Sequence, residues 1–72
     1  MRYYFDYQNH INVADREGEE LASLKEARAL ADQVAEELGR NKAKGVIDDQ
    51  YISVLDESGT EVYRSKLVYR RS

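Results

Sequence analysis

The sequence predicts an α+β fold: a single ββαββ domain, residues 1–72, with an antiparallel sheet and one helix packed on one face. Three observations carry this. Aromatic and apolar residues alternate at period two near both ends of the chain, the pattern of half-buried strands. Between them, residues 24–38 repeat apolar side chains at the helical period. At 72 residues there is room for one domain only, and the order strand, strand, helix, strand, strand is satisfied by a helix across one face of an antiparallel sheet.

The first strand is expected over residues 3–8. Tyr3, Phe5 and Tyr7 fall on one face, and Tyr4, Asp6 and Gln8 on the other. Aromatics are strong strand formers because they pack well on a pleated surface. Gln8-Asn9-His10 reads as a turn, since Asn tolerates left-handed backbone angles. Ile11 and Val13 then alternate with His10 and Asn12, which predicts a short second strand returning antiparallel. Residues 15–20 hold four acids and one base, and are expected as a charged loop around Gly18.

The helix is the clearest element. Ser23 with Glu26 three residues later is a capping box, in which the hydroxyl accepts from one orphan amide and the carboxylate reaches back to another. Leu21, just ahead, helps to staple it. Leu24, Ala27, Leu30, Ala31, Val34 and Leu38 form one stripe. The narrow Ala27/Ala31 part of it lets the helix approach the sheet closely. Gly39 reads as a left-handed stop. Arg40, Lys42 and Lys44 follow beside the negative end of the helix dipole.

Residues 40–49 are a polar connection with Gly45 in a turn. Residues 51–55 are a third strand, Asp56-Glu57-Ser58-Gly59 a type I turn with a bulge, and residues 60–69 a long fourth strand. Ile52 and Val54 share a face. Either Val62 continues that face across the hairpin, or Tyr63 and Leu67 do if the bulge shifts the register. The residues leave both open. The other face would hold Tyr4 and some of Tyr51, Tyr63 and Tyr69.

Composition excludes several function classes. There is no Cys, so disulfides and thiolate metal sites are impossible. Apolar runs are too short to cross a bilayer, and Met1 to Asp6 lack the apolar region of a signal peptide, which makes a cytoplasmic location the expectation. The net charge of -3 hides an asymmetry. Residues 1–36 carry four bases and eight acids, whereas residues 64–71 hold Arg64, Lys66, Arg70 and Arg71 with no acid.

Four motifs occur in order: Tyr3-Tyr4-Phe5-Asp6; Asp15-x-Glu17-Gly18-x-Glu20-Leu21; Leu24-x-x-Ala27-Arg28; and Val54-x-Asp56-x-x-Gly59. In order and spacing they resemble a family of small uncharacterised proteins common in alphaproteobacteria, especially rhizobial and related genomes. The resemblance covers the chain to about Val62. Beyond it the family usually ends in an apolar strand, where this chain has Lys66-Leu67-Val68-Tyr69-Arg70-Arg71. The resemblance implies a compact α+β domain and assigns no activity and no catalytic residue.

No catalytic or metal constellation stands out. The acids of residues 15–20 are expected to be solvated, whereas a catalytic carboxyl needs burial that shifts its pKa. Arg28 is expected to pair with Glu20 or Asp15 and order that loop. His10 is the only histidine, too few for a zinc site. Ser23 and Ser58 are explained by a cap and a turn. The reading is therefore a non-enzymatic module of unknown role, without catalytic residues, metal or cofactor. Its candidate binding surface is Tyr4, Tyr63, Arg64, Lys66, Tyr69, Arg70 and Arg71. The expected partner is a protein or a second copy, because so small a core is often supplemented by association. The alternative is weak single-stranded nucleic-acid binding, with tyrosines stacking on bases and cations on phosphates. The acidic pI of about 5.1 weighs against it.

Overall fold

A computed structural model describes residues 1–8, 12–40 and 50–67. It contains β1 (Arg2–Gln8), β2 (Glu19–Glu20), α1 (Leu24–Arg40), β3 (Tyr51–Leu55) and β4 (Glu61–Lys66). The strands form one antiparallel sheet in the order β2-β1-β3-β4, with α1 packed against β3 and β4. The expected α+β architecture is the observed one. Asn9 and His10 of the expected turn, Lys42, Lys44, Gly45 and residues 68–72 lie outside the described residues.

Register decides which side chains meet the helix. Phe5 lies opposite Val54 and Tyr7 opposite Ile52; Val54 lies opposite Tyr63 and Ile52 opposite Ser65. Opposed residues share a face, so Tyr3, Phe5, Tyr7, Ile52, Val54, Tyr63 and Ser65 all point to one side. The helix lies on that side and brings Ala27, Ala31, Ala35 and Gly39, spaced four apart, against it. Short side chains along one line let the helix backbone come close to the sheet. Leu24, Val34 and Leu38 flank that line and are half-buried against the core, and Leu21 packs there as expected. The core proper is Tyr3, the three alanines, Ile52, Val54 and Leu67.

The turn after β3 forms as its sequence demands. Gly59 has φ +85°, its amide donates to Asp56 O at 3.0 Å, and the Asp56 side chain accepts from Ser58 and Thr60. The register then slips by one residue, with Leu55 opposite Glu61 but Val54 opposite Tyr63. That bulge sends Tyr63 and Leu67 to the helix-facing side, and Val62, the extra residue, also packs against the core.

Three expectations need correction. The second strand is Glu19–Glu20, within the segment expected as a loop; of the strand expected around Ile11 and Val13, Val13 bridges Tyr7 antiparallel and Ile11 lies outside the described residues. The pairing partner of β1 is fixed later in the chain because an Asp15-centred turn holds the intervening residues. Gly39 does not stop the helix, which runs to Arg40 with Gly39 buried. A residue without a side chain serves close packing there, and among the described glycines only Gly18 and Gly59 have positive φ. Ala35, left out of the expected stripe, belongs to its closest line. Strand four is described as Glu61–Lys66, and Leu67 still donates its amide to Gln50 O; residues 68 and 69, the end of the expected strand, lie outside the described residues.

Candidate interaction surface

The sheet face turned away from α1 is built from three cross-strand rows. Tyr4 lies beside Leu55 and then Glu61, Asp6 beside Ser53 and then Arg64, and Gln8 beside Tyr51 and then Lys66. Alternation along each strand puts these nine side chains on one side. Arg64 organises the β4 end of it. Its guanidinium carbon sits 4.1 Å from the centroid of the Tyr51 ring, the diagonal neighbour on β3. Its Nε donates to Glu61 Oε1 at 3.1 Å. Ser53 Oγ donates to the other carboxylate oxygen, Glu61 Oε2, and Ser53 is only 3% exposed although it lies on the outer face. The Ser53 hydroxyl, assisted by Arg64, outweighs partial desolvation and holds the Glu61 carboxyl below its ordinary pKa. Ser53, Tyr51, Glu61 and Arg64 thus form one connected array. Lys66 is exposed at its end, with no partner among the described residues.

The seven candidate residues divide. Tyr4, Arg64 and Lys66 lie on the outer face, together with Tyr51. Tyr63 lies on the opposite side, under the helix. Its hydroxyl donates to Asp32 Oδ1 at 2.7 Å, and Ser65 Oγ donates to the same oxygen at 2.8 Å. The Asp32 carboxylate, more than desolvation, raises the Tyr63 pKa, because it favours the protonated phenol. Arg28 sits over the Tyr63 ring, 5.7 Å from its centroid. Tyr69, Arg70 and Arg71 lie outside the described residues. Sequence reasoning missed Glu61 and Ser53. The signal was present in Glu61-x-x-Arg64 just after a bulge-forming turn, but it becomes a pair only once the bulge is placed.

The acidic segment is ordered by one carboxylate. On the edge of β1 away from β3, no described strand continues beyond the two residues of β2, and Asp15 takes that place at Phe5. Asp15 Oδ2 accepts from the Phe5 amide at 3.1 Å, and Oδ1 from the amides of Glu17 and Gly18, each at 3.1 Å. The Asp15 amide donates to Asp6 Oδ1 at 2.9 Å. Burial alone would raise the Asp15 pKa; the amides of Gly18, Phe5 and Glu17 together outweigh it and hold it low. Gly18, at φ +71°, lets the chain pass so close that a Cβ there would lie 2.8 Å from Tyr3 O. The expected pairing of Arg28 with Glu20 or Asp15 does not form. Arg28 is on the Tyr63 side, and Glu20 meets the Met1 amino group and Arg2 instead. Backbone amides are nearer to Asp15 than any cation, and they satisfy it. Among the described residues, no group of three or more His, Cys, Asp or Glu is placed to hold a metal. No described helix is long and apolar enough to cross a membrane.

A family model, "Domain of unknown function (DUF6894)", matches residues 2–68. The chain belongs to that family. The match runs from β1 through β4, so the sheet, the helix and the Asp15 turn are all parts of the DUF6894 domain. No curated protein and no solved structure matches the chain.

Proposed function

We propose that this DUF6894 domain is a small non-enzymatic binding module, working in the cytoplasm, that engages a protein partner or a second copy through the outer sheet face. The observation that carries the reading is the Tyr51–Arg64–Glu61–Ser53 array. Tyr and Arg are the side chains that most often dominate protein interfaces. Here they are already stacked and hydrogen-bonded, so binding would freeze little additional side-chain motion. The helix covers one face of the sheet only, which leaves Tyr4, Leu55 and Tyr51 half-exposed on the other.

The test has two arms. Sedimentation equilibrium up to millimolar protein measures self-association, and capture from a bacterial lysate compares the unaltered chain with Tyr51→Ala and Arg64→Glu. The expected result is a complex, with itself or with a distinct protein, that both substitutions weaken. A monomer at every concentration, together with capture indifferent to both substitutions, would sink the proposal.

A second reading, weak single-stranded nucleic-acid binding, rests on Tyr51, Arg64 and Lys66 sharing one face. It is the less favoured because Arg64 already occupies a face of the Tyr51 ring and Tyr63 lies on the helix side. Titration with single-stranded RNA and DNA at two salt concentrations tests it, since phosphate contacts weaken steeply with salt.

A further inference from the structure

We infer that the free edge of β4 is a strand-addition site for an extended acidic peptide carrying carboxylates at alternate positions. The inference rests on the binding-module reading and names a different part of the sheet, its edge. Among the described residues, strand order leaves β4 with a neighbour on one side only. The Leu67 amide donates inward to Gln50 O, so in the alternating ladder of an antiparallel pair the backbones of Leu67, Ser65 and Tyr63 face β3. The backbone N–H and C=O groups of Arg64 and Lys66 therefore point outward.

The opposite edge is closed by comparison. β2 has only two residues. Of these, Glu19 faces β1, leaving Glu20 outward. Further along, the Phe5 amide is taken by Asp15, and the Tyr7 backbone exchanges both hydrogen bonds with Val13. Among the described residues, β4 is the strand with successive outward-facing backbone groups.

Side-chain chemistry selects the occupant. Arg64 and Lys66 are two residues apart on one face, and a strand added alongside presents its residues i and i+2 at the same spacing. Carboxylates at those positions would meet the Arg64 guanidinium and the Lys66 ammonium. Glu61 takes part of the Arg64 charge, but the Arg64 side chain remains 53% exposed and Lys66 is free of described partners. The rest of the domain is acidic, with net charge -3 overall, and repels such a peptide elsewhere. A basic or apolar strand would lack that steering, and the charges on β4 oppose pairing with its own copy.

The probe is a synthetic eight-residue peptide with Glu at alternate positions, titrated into isotope-labelled protein and followed by the amide resonances. Two further peptides carry N-methyl groups on one or the other set of alternate amides. Binding is expected to perturb the Arg64 and Lys66 amides, to weaken with salt, and to weaken in Lys66→Glu. One N-methylated peptide should bind about tenfold more weakly or worse, and the other should match the parent, because only one set of amides faces the edge. Equal affinity for both N-methylated peptides overturns strand addition. If the perturbed amides are then those of Tyr4, Ser53 and Leu55, the outer-face reading stands while this inference fails. Absence of binding at about millimolar peptide also overturns it, and the sedimentation and capture results then judge the outer face separately.

Discussion

At the scale of single residues, Asp15 is the most consequential side chain that composition hid among its acidic neighbours. It does the work of a missing strand for Phe5 and of a turn for Glu17 and Gly18. Asp15→Asn keeps one acceptor oxygen and loses the other, so a loss of about 1–3 kcal/mol in denaturant unfolding is expected. The pH dependence has a definite sign. The folded pKa of Asp15 lies below its unfolded value, near 3.9, so the unfolded state binds the proton first. Stability from this group is fully present above about pH 5 and is lost as pH falls through the folded value. The acid limb of a Tm-versus-pH curve should therefore be shallower in Asp15→Asn than in the unaltered chain; an identical limb would refute the role. Gly18 and Gly59 make a matched pair. Both have positive φ, but a Cβ at Gly59 meets nothing within 4 Å, whereas one at Gly18 meets backbone and two side chains. Gly59→Ala should lose about 1–2 kcal/mol from left-handed strain alone, and Gly18→Ala distinctly more. Chemical denaturation of the two variants checks the order.

At the scale of elements, α1 and β4 show what could and could not be read in advance. The cap at Ser23 and the helix register were legible, since capping chemistry and a 3.6-residue period are local properties. Ser23 Oγ accepts from the Glu26 amide at 3.4 Å, as the Ser-x-x-Glu spacing predicts. The alternation of β1 and the Asp56–Gly59 turn were legible for the same reason. The position of β2 was not, because a two-residue strand has no period and is set by a hydrogen-bonded turn centred on Asp15. The face taken by Tyr63 was not either. One extra residue in a bulge reverses the facing of every side chain after it, and the residues alone allow both outcomes. Two predictions belong here. Ala31→Leu forces a larger side chain into the closest contact of helix and sheet, and should lose about 1–3 kcal/mol or more by thermal unfolding. The Asp32–Tyr63 bond ties α1 to β4 and raises the folded pKa of Tyr63 above its unfolded value near 10. Its stability is fully present below about pH 10 and is lost as pH rises through the folded value. Asp32→Ala should flatten that alkaline loss in a stability-versus-pH series.

At the scale of the whole molecule, charge and surface explain what the fold leaves unfinished. A domain of this length buries only about 60% of the surface that its unfolded chain exposes, and among the described residues one sheet face has no layer over it. If a second copy covers that face, the Tm must rise with protein concentration, because association draws the folded state forward. A Tm that is flat across a hundredfold range of concentration would remove the second copy as occupant. Of the seven candidate residues, Tyr4, Arg64 and Lys66 share the outer face. Tyr63 is sent under the helix by the bulge, and Tyr69, Arg70 and Arg71 lie outside the described residues. The array itself could not be foreseen, since Ser53 and Glu61 become neighbours only across a ladder whose register the chain does not announce.

The alanine line of the helix has an entropic side. Ala27, Ala31, Ala35 and Gly39 have no side-chain torsions to lose, so seating α1 along its closest line of contact freezes no rotamer on the helix. The torsions lost on assembly lie beside that line, in Leu24, Val34 and Leu38 of the helix, and across from it, in Tyr3, Ile52, Val54 and Leu67. The closest line of contact is therefore a smooth seam between flanks that interlock. Asp32 adds a polar tie along the sheet, where one carboxylate holds the hydroxyls of two β4 residues.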